Sequence, residues 1–329
     1  MKEANLTKIE RYILGSKPVK YLEAQSKKII LPGFDKVPLY DVIMFFKGQL
    51  RKVGISDRAS AIAFDLLMAI PAGTIFLFTL IPYMPVSSRI TEELLNLTHD
   101  FAPNENTYQI VANFLNDFLN TPRTGLLSLG FLIAIYYASN ATLGIMRSFN
   151  RSLIHVNERS FLHDRWTAIK LTIIFLLLII ATGVLLVTQG AVFTFIMNWL
   201  NIQSAFVKWV INSIRWLIII ALVLYGTGFI YKYAPAIHKR WKLTSPGAIL
   251  ATFLNVLFTF AFSFWVQNFG SYNKIYGSIG TIMILMLLVY FGCLILLIGY
   301  ELNVSIHSLK ALAEERQKHE QEADVQEQP

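Results

Sequence analysis

The chain has 329 residues, enough for two or three soluble domains, but 54% are apolar and only 15% charged, against about 25% charged in a soluble domain. The apolar residues fall in long blocks between short charged segments, which excludes a water-soluble core. A net charge of +8 would raise nucleic acid as a partner in a soluble protein; the placement of the charge assigns it instead to topology and anionic phospholipid, with no nucleic-acid surface.

Residues 1–58 are basic, but Asp41 and Lys47 break their longest apolar run and no small-residue cleavage site follows. They are therefore not read as a signal peptide and are expected to stay on the protein. Within them Leu39, Val42, Ile43, Phe46 and Leu50 recur at helical spacing, which predicts an amphipathic helix on the inner membrane surface, ended by Gly54. Ser56 or Asp57 can cap the first span.

A membrane-spanning helix needs about 20 mainly apolar residues. Six stretches qualify: 59–81, 126–146, 168–195, 213–230, 246–267 and 279–300. Between the first two, Tyr108, Val111, Leu115, Phe118 and Leu119 predict a small helix in an extracytoplasmic segment, 83–125. Ser245-Pro246 is a helix start, a capping serine followed by proline at the first helical position. The fold class is an all-α integral membrane protein. A basic N-terminal segment, 1–58, precedes a six-helix transmembrane domain, 59–309. Residues 310–329 form a charged tail, with six acids after Lys310, expected to continue the last helix briefly at most and then to be disordered.

Lysine and arginine give the orientation. Residues 1–58 carry 12, 147–170 carry 5, 232–242 carry 4 and the tail carries 3, while the alternate loops together carry 4. This strict alternation predicts that both termini are cytoplasmic.

Polar residues inside the spans cost a few kcal/mol each unless paired or hydrated. Asp65 lies ~10 Å below the inner end of the first span, and Asn140 lies at similar depth in the second. Asn255 falls near the midplane of the fifth, and Glu301 at the inner end of the sixth. These four are expected to line a polar vestibule open to the cytoplasm, with Arg147 neutralising Glu301 or Asp65; the alternative is that each only hydrogen-bonds a neighbouring helix. Gly277 and Gly280 serve the turn into the sixth span, or a re-entrant loop. Gly292 and Gly299 share one helical face and predict close packing, with Ala134, Ala138 and Ala141 as the partner surface. Pro71 interrupts the first span, as a kink or as a hinge. The six histidines are scattered without metal-ligand spacing, and there is no nucleophile elbow or phosphate-binding glycine loop. No catalytic, cofactor or metal site is expected, and the chain is read as a non-enzyme.

Several motifs resemble the YihY/BrkB family. Ser271-Tyr-Asn-Lys-Ile-Tyr-Gly-Ser-Ile-Gly280 and Leu297-Ile-Gly-Tyr-Glu-Leu302 are similar to its last span. Arg58-Ala-Ser-Ala-Ile-Ala-Phe64 with Pro71 is similar to its first, and Asn140-Ala-Thr-Leu-Gly-Ile-Met-Arg-Ser-Phe149 to the end of its second. Tyr231-Lys-Tyr-Ala-Pro235 and Pro246-Gly-Ala-Ile-Leu-Ala251 match its fourth-to-fifth connection. Tyr300 stands where a small residue is common, and Met146 where tryptophan is. The resemblance covers about residues 40–308 and implies six helices in the bacterial cytoplasmic membrane. Members carry virulence-factor labels and an old ribonuclease BN label, neither of which fixes an activity. Three functions are therefore weighed: a secondary transporter, exporter or lipid-handling protein of unknown small-molecule or lipid substrate; a structural or interaction protein of the envelope; and, last, a membrane-bound ribonuclease. Homo-oligomerisation is left open.

Overall fold

The computed structural model describes residues 24–27, 29–34, 37–52, 54–83, 91–92, 95–96, 98, 105–120, 124–153, 159–178, 205–237, 240–268 and 278–326. Among these there is no strand. The helices are α1 (Leu39–Lys52), α2 (Ile55–Leu80, followed by a 3-10 turn at Ile81–Tyr83), α3 (Glu105–Asn120) and α4 (Thr124–Asn150). Next come α5 over residues 161–178, α6 (Ala205–Tyr233), α7 (Pro246–Asn268) and α8 (Ser278–Gln326).

Among the described residues five helices are long and apolar enough to cross a membrane, within Ile55–Phe76, Leu127–Asn150, Trp216–Tyr233, Pro246–Val266 and Ile282–Glu315. They coincide with five of the six expected spans. Of the remaining one, 168–195, the structure describes helix only to residue 178, and the rest lies outside the described residues.

The order of neighbours closes a ring. α4 packs along α2, α2 along α8, α8 along α7 and α7 along α6. α5 joins the two ends. The Thr172 hydroxyl meets that of Thr142 on α4 at 2.8 Å, and Leu178 presses on α6 at Gly226. Burial is concentrated at one end of this ring, where α2 begins and α4 and α6 finish. On α8, Cys293, Ile295, Leu297 and Tyr300 are buried, whereas Ile282, Met283 and Leu285 to Leu288 are exposed. Arg58, Arg147, Arg159 and Arg240 all lie at this buried end, which makes it the basic end of the ring.

Two elements differ from expectation. α1 is amphipathic and ends before Gly54, which takes the left-handed φ of +59° that a side chain disfavours. It does more than lie on a surface, because fully buried Val42 packs with Phe34 and with Ile306 of α8. The tail continues the last helix further than the brief extension expected, to Gln326. The turns of α8 that lead into it are packed against α1 through Leu302, Ile306 and Leu309, and its own first residues include Ala311, Leu312, Ala313, Glu314 and Glu315, strong helix formers. A composition count over 310–329 sees neither effect. α3 lies where the periodicity puts it, but its buried side runs through Ala112 and Leu115, leaving Val111 exposed.

Candidate functional site

Inside the basic end sits an ion pair. Arg58, in the first turn of α2, and Glu301, on α8, are 3% and 0% exposed, with Arg58 Nη1 2.9 Å from Glu301 Oε1. The same Nη1 donates to Ser152 Oγ at 3.0 Å, Nη2 donates to the Ser148 carbonyl, and Ser152 Oγ donates to Glu301 Oε1. One guanidinium thus ties α2 to α8 and to the last turn of α4. Hydrogen-bonding capacity is left over: Arg58 Nε, Glu301 Oε2 and the Tyr300 hydroxyl are buried without a partner among the described residues. Burying two such charges costs several kcal/mol each, which the contact offsets only when the geometry is good.

The centre of the ring beside this pair is filled by aromatics. Tyr300 of α8 stacks on Phe149 of α4, centroids 3.7 Å apart and planes 4° from parallel. Tyr231 of α6 meets both rings edge-on, and its hydroxyl donates to the Leu296 carbonyl at 2.6 Å. Trp241 closes over Tyr300 from the segment leading into α7. The large side chain at position 300 is accommodated because it fills this gap.

The residues expected to share a vestibule each have a different partner. Glu301 is paired with Arg58, not with Arg147, which is exposed. Asp65 lies against Gly144 of α4, where a Cβ would come 2.8 Å from its Oδ2; Arg147 supports it as a nearby charge rather than as a direct ion pair. Asn140 accepts from Arg165 Nη1 of α5 at 2.6 Å, and that guanidinium also covers the Tyr136 ring. Asn255 donates back to Ala251 on its own helix at 3.0 Å. Two of these side chains therefore tie helices together, one bonds its own backbone, and the fourth is half-buried between α2 and α4.

The glycines separate as well. Gly292 has nothing among the described residues within 4 Å of where a Cβ would stand. At Gly299 a Cβ would come within 2.5 Å of both the Gly247 carbonyl and the Tyr231 hydroxyl. The close partner is α7, at Gly247 and Ala251, rather than the alanines of α4. Gly280 is buried in the first turn of α8, Gly277 lies outside the described residues, and α2 runs through Pro71.

The same α7–α8 contact explains Asn303. Its Oδ1 accepts from the Gly247 amide at 2.8 Å and its Nδ2 donates to Ser245 Oγ at 2.9 Å. A residue of α8 thus caps the N-terminus of α7, a task the capping serine does not perform alone. Asn303→Ala is expected to lower thermal stability in detergent by about 1 kcal/mol, and Asn303→Asp by less, because a carboxylate still accepts from the Gly247 amide. Equal melting of wild type and Asn303→Ala would count against the cap.

The sequence comparisons agree with this architecture. The family model described as virulence factor BrkB matches residues 47–325. The chain belongs to the BrkB family. It is 30% identical over 263 residues to the ribonuclease-like protein YfkH of Bacillus subtilis (strain 168), covering 80% of this chain and 94% of that one. It is 26% identical over 261 residues to a UPF0761 membrane protein of Coxiella burnetii (strain RSA 493 / Nine Mile phase I), covering 76% and 87%. No solved structure matches.

The BrkB match contains both members of the ion pair, and sequence reasoning singles out only one of them. Arg58 is the first residue of a family-like motif, yet a topology count groups it with the loop cations. Glu301 and Arg58 stand at the same end of their respective spans, so equal depth is the signal that could have joined them. Ser152 carries none, since it lies just past the end of α4 in a polar segment.

Proposed function

We propose that this BrkB-family protein is a six-span carrier of the bacterial cytoplasmic membrane, both termini cytoplasmic, that moves a small molecule or a lipid without covalent chemistry. In this proposal the basic end is the cytoplasmic end, which the alternation of lysine and arginine supports. The observation that carries the proposal is the buried Arg58–Glu301 pair beside the Phe149–Tyr231–Tyr300 plug. An ionisable pair inside a membrane bundle is costly, and such pairs mark pathways and proton relays. Its place, at the basic end of a ring of helices and next to an aromatic plug, suits a closed inner gate. The pair joins α8 to α2, so a ligand or ion that competes for either charge would bias the gate.

The test is reconstitution of wild type and Glu301→Gln in vesicles, with flux followed for a metabolite and lipid panel under an imposed pH gradient. Gradient-dependent flux in wild type, lost in the folded variant, is the expected result. Identical flux from both would take Glu301 out of the mechanism.

A structural role in the envelope is the second reading, and the closely packed aromatic end favours it. No flux for any panel member, with a stable wild-type protein, would shift weight to it. The ribonuclease-like name of YfkH supplies a third. It would need a cytoplasmic acid or metal cluster, and among the described residues no group of three or more His, Cys, Asp or Glu is placed to hold a metal.

A further inference from the structure

A cavity of about 380 Å³ lies at the basic end, outside the aromatic plug. Three parts of the chain enclose it: the N-terminal turn at Gly33, residues 240–246 leading into α7, and α8 from Asn303 to Glu314. Its volume falls in the range of small-molecule sites, about 300–1,000 Å³.

The walls are held in place. Gly33 takes a φ of +88°, and a Cβ there would come 2.9 Å from the Pro246 ring, so the N-terminal turn sits directly on the start of α7. The Leu243 carbonyl is packed against Gly228 of α6, and Asn303 fixes Ser245 and Gly247. Arg159 donates to the Pro235 carbonyl at 3.0 Å, anchoring the upstream end of the same connection to the segment before α5.

Among the described residues the lining is cationic. Arg240, Lys242 and Lys310 face it with His307, against one carboxylate, that of Glu314. The Arg240 guanidinium is positioned over the Tyr233 ring, 5.0 Å from its centroid. Thr244, Ser245 and Pro246 put the positive end of the α7 dipole on the same space. Trp241 and Ile306 form an apolar wall beside the charges. Positive charge next to an apolar wall at the mouth of a membrane bundle matches the chemistry of an anionic headgroup with the first carbons below it.

We propose that this cavity binds a phosphate-bearing anion through Arg240 and Lys242. The anion is either the headgroup of a membrane phospholipid or a soluble phosphate, and the two share the same charge partners. The proposal stands apart from the gate reading above, since its test measures binding rather than flux.

The full chain is purified in mild detergent and titrated with short-chain phosphatidylglycerol, short-chain phosphatidylcholine and inorganic phosphate. Bound species are counted by native mass spectrometry and binding is followed by tryptophan fluorescence, with Trp241 as the local reporter. The doubly substituted R240A/K242A protein is expected to bind phosphatidylglycerol about 10-fold or more weakly. R240K/K242R, which keeps the charge, and K47A/K170A, which removes two exposed cations elsewhere, are expected to stay within about twofold of wild type. Competition by inorganic phosphate with the same dependence on Arg240 and Lys242 supports the site with a soluble ligand; its absence supports it with a lipid one. Equal losses from R240A/K242A and K47A/K170A would overturn the proposal, because they would mean diffuse attraction rather than a site. Equal binding of the two lipids, with none of phosphate, would overturn it as well.

Discussion

Glu301→Ala is expected to lower the stability of the folded protein by about 3–5 kcal/mol, because it leaves the Arg58 guanidinium buried without its counter-charge. Arg58 is 3% exposed and lies in the first turn of α2. Its remaining partners, the Ser148 carbonyl and Ser152 Oγ, are neutral and do not compensate a full charge. Glu301→Gln is expected to cost less, since an amide oxygen still accepts from Nη1. The double substitution R58M/E301L is expected to recover most of the loss, as replacement of buried pairs by apolar groups of similar volume often does. Thermal unfolding in detergent, scored by the fraction that stays monodisperse, measures these proteins together with the single substitutions R58M and E301L, which complete the cycle. The double-mutant cycle decides: a coupling well above 1 kcal/mol is expected, and a coupling near zero would mean that the two groups do not act as a pair. Stability and flux then separate the pair's two roles. If R58M/E301L folds as wild type does and carries no flux, the charges serve the gate and not the fold.

Most of the architecture was legible because bilayer physics leaves few choices. A block of about 20 apolar residues must be helical, since nothing in the lipid can satisfy its backbone. Five of the expected spans are helices of the required length. The start at Ser245-Pro246 is a local signal, and α7 begins there. What was not legible depends on which helix meets which. Asp65, Asn140, Asn255 and Glu301 share a depth range, and depth is one coordinate of three. Asn255 has a partner in its own helix four residues back, so it needs no vestibule. Arg58 counts with the loops by its place in the sequence, whereas its long side chain reaches from the first turn of α2 into the bundle. The extent of α8 was hidden for a related reason, since α1, distant in sequence, covers its continuation.

Gly299 and Gly292 make the same point and permit a sharper test. They are seven residues apart on α8, and spacing alone makes them equivalent. Gly299→Ala is expected to destabilise the protein by about 3 kcal/mol, at the upper end of what overpacking costs. Its new methyl would meet the Gly247 carbonyl and the Tyr231 hydroxyl at 2.5 Å and Ala251 Cβ at 2.7 Å. Two of these belong to α7 and the third to the plug, so relief requires moving a backbone or breaking the bond from Tyr231 to Leu296. Separating α7 from α8 would also stretch the cap that Asn303 provides. Gly292→Ala meets open space and is expected to stay within about 1 kcal/mol of wild type, on the stabilising side, because alanine is the better helix former. Melting temperatures of the two variants in the same detergent make the comparison. Equal losses would mean that both glycines serve a general close-packing face, as their spacing alone suggests. Loss confined to Gly299→Ala would place the tight α7–α8 seam at the basic end, where the ion pair, the plug and the cationic cavity all meet.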